Sequence, residues 1–257
     1  MNKPIYKPIL IYTVGRVSST SIYNLCEEAT DYTPYHVHYL SPATHAKQVA
    51  IAQKTGAWGQ DVKHAMAFSE RRTEYHGKLK IINIVRDPIA RTLSLFFSSG
   101  QAESDMSNET KGPQFWENLL RKFLQYDRHT ELNTWVQTEF NLYTGINLLK
   151  SNYVAKYGWG RTTTREFDIL TFQCELDEKR KLGLLNSFLG ARFDTIPHDY
   201  STSERAGHNT GSLYREFLEN VTLPREYVDF MYGLETSRFF YSKEQIAAMR
   251  KRWLKQN

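Results

Sequence analysis

The stretch Ile9-Leu10-Ile11-Tyr12-Thr13-Val14-Gly15-Arg16-Val17-Ser18-Ser19-Thr20-Ser21, continued by Ile22-Tyr23-Asn24-Leu25-Cys26-Glu27-Glu28-Ala29, sets the reading of the 257-residue chain. A short apolar, β-rich run enters a loop of Gly, Arg and small hydroxyl residues. Apolar residues then recur at 22, 25, 26 and 29, the spacing of one helix face. The pattern reads as strand, anion-binding loop, helix. A helix begins with backbone N–H groups that have no partner inside the helix, and its dipole is positive there, so an anion can rest against it. Small residues let the backbone approach that anion, Ser18, Ser19, Thr20 and Ser21 add hydroxyl donors, and Arg16 adds a fixed positive charge. The loop has no lysine, whereas the Walker pattern of nucleoside triphosphatases ends in Gly-Lys-Ser/Thr, which weakens a triphosphate-hydrolysing reading. Taken alone, the stretch reads equally well as an ordinary strand-turn-helix with a serine-rich cap.

Working outward, Tyr35-His36-Val37-His38-Tyr39-Leu40 alternates as a second strand and stops at Ser41-Pro42. Its period places His36 and His38 on one face. Strand ends are where catalytic groups gather in open parallel sheets, while a histidine satisfied in the core or at the surface is the plainer alternative. From Ala43 to Arg72 the pattern is helical in pieces, broken at Gly56 and Gly59, with Lys63 and His64 expected on a solvated face. Leu79-Lys80-Ile81-Ile82-Asn83-Ile84-Val85 reads as a buried strand that runs straight into Arg86-Asp87-Pro88. Asp87 suits a helix cap and Pro88 the first turn. Ile89, Leu93, Phe96 and Phe97 make the buried face of that helix, with Arg91 and Ser94 on another. Arg86 at the strand end and Ser94 then offer a second anion site, against the alternative of an Asp-Pro cap with incidental arginines.

The remainder fills out the frame. Residues 101–112 form a polar loop, and a helical insertion spans about 113–145, marked by Phe115, Leu119 and Phe123, then Leu132, Trp135, Phe140 and Tyr143. Ala155 to Arg165 reads as a turn or hairpin, Phe167 to Gln173 as a strand, and residues 197–212 as a loop holding Arg205, Gly207 and His208. Ser242 with Gln245 predicts a capping box for a last helix whose face is Ile246, Met249 and Trp253. Strands alternating with helices give an α/β class, a three-layer P-loop-like sandwich with a mainly parallel sheet, as one domain over 1–257. The net charge of +5 is mild and dispersed, which suits an anionic ligand without calling for nucleic acid. Cys26 and Cys174 stand far apart with no metal-like spacing, and no run approaches a signal peptide or membrane span. A cytoplasmic protein with buried thiols and no metal is expected, its oligomeric state open.

The two anion motifs together are more specific than either half. A strand-loop-helix site near the N-terminus, followed by a strand ending in Arg86-Asp87-Pro88-x-x-Arg91-x-x-Ser94, resembles the sulfotransferases that use 3′-phosphoadenosine 5′-phosphosulfate, with the Arg86 to Ser94 spacing of their 3′-phosphate site. Within them the chain most resembles the bacterial capsular polysaccharide synthesis branch and, more distantly, carbohydrate sulfotransferases. The carriers are Gly15 to Ser21, the His-x-His strand at 36 to 38, and the closing Phe239-Phe240-Tyr241-Ser242-Lys243-Glu244 with Trp253. The resemblance is firm over the first hundred residues or so and looser afterwards. Ser18 departs from it, standing where glycine is common, as does Arg16, standing where many members have lysine.

What the resemblance implies is sulfuryl transfer to a hydroxyl or amine of a carbohydrate or small-molecule acceptor, with no metal required. Amides of Val17, Ser18, Ser19, Thr20 and Ser21 would hold the 5′-phosphosulfate, and Arg16 would neutralise charge on the leaving oxygen. Arg86 and Ser94 would bind the 3′-phosphate, with Arg205 and Gly207 as a further clamp. His38 would be the base and His36 the reserve, since an imidazole accepts a proton at neutral pH. A nucleotide-dependent kinase and a non-catalytic module for anionic glycans are the alternatives.

Overall fold

Ile9 to Tyr12 and Leu79 to Val85 are near-continuous apolar runs, the composition of strands covered on both faces of a parallel sheet, and Phe167 to Gln173, though it carries Asp168, Thr171 and Gln173, is buried at every position. The computed structural model, which describes residues 6–102, 111–197 and 209–255, pairs them side by side. In chain order the elements begin β1 (Pro8–Tyr12), α1 (Ser19–Ala29), β2 (Thr33–Val37), α2 (Pro42–Thr55), α3 (Gln60–Arg71), β3 (Leu79–Val85), α4 (Pro88–Ser98) and α5 (Pro113–Leu124). Next come α6 (Glu131–Trp135), a π-helical turn over Val136–Phe140, α7 (Asn141–Thr144), β4 (Tyr153–Val154), β5 (Trp159–Thr163) and β6 (Phe167–Gln173). The chain closes with α8 (Glu178–Leu189), α9 (Asn209–Asn220), α10 (Arg225–Gly233), α11 (Glu235–Phe240) and α12 (Lys243–Trp253).

The six strands lie in the order β2-β1-β3-β6-β5-β4. The first four are parallel, with Leu10 beside Tyr35 on one side and Ile81 on the other, and Ile81 beside Ile169. The carboxyl ends of β2, β1, β3 and β6 therefore share one edge of the sheet. The expected hairpin is present as antiparallel β4 and β5. At Gly160 a Cβ would fall 2.2 Å from the Asn152 carbonyl oxygen, so only glycine lets these two strands pair this closely. The chain is thus α/β, with a mostly parallel central sheet flanked by helices.

The chain divides into two compact units, Met1–Val85 with Thr134–Asp199, and Arg86–Asn133 with Tyr200–Asn257. The first holds the sheet. The second is helical, and its core gathers Leu93, Phe96 and Phe97 of α4, Phe123 of α5, Phe217 of α9, Met231 of α10 and Trp253 of α12. The helix over 88–98 forms as expected, with Pro88 in its first turn and Asp87 accepting from the Ile89 N–H at 3.0 Å. The capping box of α12 is also formed in both halves.

Three expectations about the bounds and regularity of elements change. β2 ends at Val37, three residues short of Leu40, because the backbone beyond it is held by side chains from another segment, described below. The insertion over 113–145 is not one regular helix pair, since a π turn separates α6 from α7 before the chain stops at left-handed Gly145. Asn209 to Ser212, read as loop, begin α9. Among the described residues no helix is long and apolar enough to cross a membrane.

Candidate functional site

The loop after β1 is built by backbone conformation. Gly15, Arg16 and Ser18 all adopt left-handed φ, at 83°, 62° and 60°. For Arg16 and Ser18 this costs about 1 kcal/mol or more each, since an L side chain crowds the following carbonyl there. Such turns direct backbone N–H groups into a concavity that suits an anion. The serine cap of the plainer reading does not form at Ser18, which precedes α1 in the left-handed rather than the extended conformation a cap needs and makes no capping bond. Its Oγ instead accepts from Cys174 Sγ at 3.5 Å, at the carboxyl end of β6. Ser18 and Thr20 are exposed, Arg16 is half-buried, and Val17, Ser19 and Ser21 are buried.

His38 leaves β2 beside this loop. Its Nδ1 lies 2.7 Å from the Thr13 carbonyl oxygen, and because a carbonyl can only accept, Nδ1 carries the proton. In the neutral ring Nε2 then carries the lone pair, and it lies 3.3 Å from where a Cβ on Gly15 would stand. Glycine at 15 is therefore required twice, for its φ and for the imidazole above it.

His36 is placed differently. Its Nε2 pairs with Ser19 Oγ at 2.7 Å, its ring stands edge-on to that of His38 with centroids 5.0 Å apart, and Tyr23 stacks on it. Burial first, then the neighbouring His38 and His64, lowers its pKa to about 3, so it stays neutral. His64, expected on a solvated face, is half-buried and accepts the His36 backbone N–H at Nδ1, 3.0 Å away. Its pKa is also lowered, by burial. The reason is that α3 packs on β2 and turns this residue inward. Lys63, beside it, is exposed as expected.

Two further residues bear on the site without a local signal for that role. Trp135 Nε1 donates to the His38 carbonyl at 2.7 Å. Glu139, on the π turn and 1 % exposed, accepts from Tyr12 Oη at 2.5 Å, Ser41 N at 2.7 Å and Ser41 Oγ at 2.5 Å, and also from Leu40 N and Thr44 Oγ1. Tyr12 additionally stacks on Phe140 and meets Trp135 edge-on, so the end of β1 is fixed by the same segment.

Of the second motif, Arg86 follows directly on β3 and is half-buried, and Ser94 is buried on α4. Arg91 is buried as well and forms an ion pair with Glu131, which assigns it to the packing of the helical unit. Arg16 to Ser21, His36 and His38 thus gather in the sheet unit, whereas Arg86 and Ser94 belong to the helical unit. Arg205 and Gly207 lie outside the described residues. Among the described residues no group of three or more His, Cys, Asp and Glu side chains is placed to hold a metal ion. Compared with protein-family models, curated proteins and solved structures, the chain matches none.

Proposed function

We propose that the chain is a sulfotransferase, with a P-loop-like α/β fold, that moves a sulfuryl group from 3′-phosphoadenosine 5′-phosphosulfate to a hydroxyl or amine of a carbohydrate or small-molecule acceptor. The observation that carries the reading is the His38 imidazole, proton fixed on Nδ1 by Thr13 and Nε2 set over Gly15 of the anion loop. A base poised at the rim of a phosphate-type loop is what transfer from an activated anion to a neutral nucleophile needs.

The residues fit the group. Left-handed Gly15, Arg16 and Ser18 and the start of α1 make an anion cradle, and the φ of Ser18 is one that glycine, common there in the family resembled, adopts without strain. The co-substrate supplies an activated sulfuryl group whose bridging S–O bond breaks. His38 Nε2 takes the acceptor proton as the acceptor atom bonds to sulfur. Amides from Val17 to Ser21 hold the phosphosulfate end, and Arg16 offsets charge growing on the leaving oxygen. Arg86 and Ser94 bind the 3′-phosphate, which separates this nucleotide from ATP. His36, neutral and bonded to Ser19, holds that hydroxyl rather than serving as the base.

The test is calorimetric titration with adenosine 3′,5′-bisphosphate beside ADP. The bisphosphate should bind tightly and ADP weakly, and Arg86→Ala should lose the bisphosphate. His38→Ala should retain binding and lose sulfuryl transfer across a panel of saccharide and small-molecule acceptors. A preference for ADP would favour a kinase, and binding of neither nucleotide would favour an anionic-glycan module.

A further inference from the structure

We infer that Glu139 is a positioning residue for His38, clamping the two backbone segments whose mutual hydrogen bond sets the tautomer and place of the imidazole. The inference builds on His38 as the base, but its spectroscopic test is independent of that role. The His38 ring is held by Thr13, the residue after Tyr12, and Tyr12 donates its hydroxyl to Glu139. On the other side, His38 is followed by Tyr39 and then by Leu40 and Ser41, whose backbone N–H groups both donate to Glu139. One carboxylate therefore ties the end of β1 to the segment that carries His38 out of β2. Trp135, four residues earlier, completes the clamp by donating to the His38 carbonyl at 2.7 Å.

A carboxylate sealed from water is costly unless its lone pairs are filled, and here five donors fill them. An ordinary helix cap would not need this arrangement. Ser41, the residue before α2, makes no capping bond of its own and turns its hydroxyl to Glu139. The π turn over Val136–Phe140 bears Glu139 and follows directly on Trp135, and such turns are frequent at functional sites. Displacing a reacting group by about 1 Å can cost on the order of a hundredfold in rate, which is the size of effect a clamp of this kind can control.

The test reads the His38 tautomer by 15N–1H correlation of histidine-labelled protein, beside circular dichroism for the fold and bisphosphate affinity. Wild type should show His38 protonated on Nδ1. Folded Glu139→Ala should lose that signature and about tenfold or more in kcat while bisphosphate affinity stays within about twofold. Glu139→Gln should restore both, because the amide oxygen still accepts from Tyr12, Leu40 and Ser41, while its NH2 group meets only the Ser41 and Thr44 hydroxyls, which can accept. Should Glu139→Ala not fold, Tyr12→Phe and Ser41→Ala each remove one donor, and a mixed tautomer is expected in both. An unchanged Nδ1–H signature in the folded variants would overturn the inference. A changed tautomer with unchanged turnover would leave the clamp standing and remove His38 as the base.

Discussion

Asp87 and Glu139 are both buried carboxylates, each 1 % exposed and each the meeting point of several donors, one in the helical unit and one in the sheet unit. Asp87 accepts from Ile89 N at 3.0 Å and Tyr232 Oη at 2.9 Å on one oxygen, and from Trp253 Nε1 at 2.9 Å and Arg252 at 3.2 Å on the other. Glu139 accepts from Tyr12, Leu40 and Ser41 on one oxygen, and on the other from two hydroxyls, Ser41 Oγ and Thr44 Oγ1. Both oxygens of Asp87 face N–H groups, which can only donate. One oxygen of Glu139 faces groups that can also accept. Two buried carboxylates of equal burial therefore differ in whether they need their charge or only their shape.

The sharpest way to break this comparison is to neutralise each acid. Asp87→Asn must set its NH2 group against an N–H donor in either orientation, and should cost about 3 kcal/mol by urea denaturation. Glu139→Gln should cost about 1 kcal/mol or less. Equal losses would end the distinction.

Acid provides the next separation. His36 has a folded pKa of about 3 against an unfolded value near 6.5, so between these pH values the unfolded chain binds the extra proton. Its contribution is therefore full above about pH 6.5 and is lost as pH falls toward 3. His36→Asn should flatten the decline of stability over that window, and slowed amide exchange in β2 at pH 4 should follow. An unaltered acid slope would show that His36 is not held neutral.

The smallest effects come from trimming one donor at each hub. Tyr232→Phe and Tyr12→Phe should each cost about 1 kcal/mol in stability. Of the two, Tyr12→Phe alone should shift the His38 signature. A shift on Tyr232→Phe would mean that the signature reports general loosening of the fold.

The comparison also explains what could be read from residues alone. The cap role of Asp87 is legible because it acts on the N–H two residues ahead and is followed by Pro88. Its bonds to Tyr232 and Trp253 are not, since they join positions 145 and 166 residues apart. Nothing around Glu139 marks it, for its partners lie 95 to 127 residues away and the turn that bears it looks in sequence like one more helical repeat. His64 reads as solvated for the same reason, as the face of α3 that is covered is decided by β2.

The sequence by itself determined the strand-loop-helix at the N-terminus, the parallel strands at 79–85 and 167–173, the start of α4 and the cap of α12, because each depends on short-range periodicity or on bonds spanning a few residues. Tertiary structure alone decided that Ser18 bends left-handed instead of capping α1, that His36 is kept neutral by burial beside His38 and His64, and that His38 projects over Gly15 with its proton on Nδ1. Those features depend on burial and on contacts between separate segments of the chain. Local residue patterns carry no record of which distant donor will arrive.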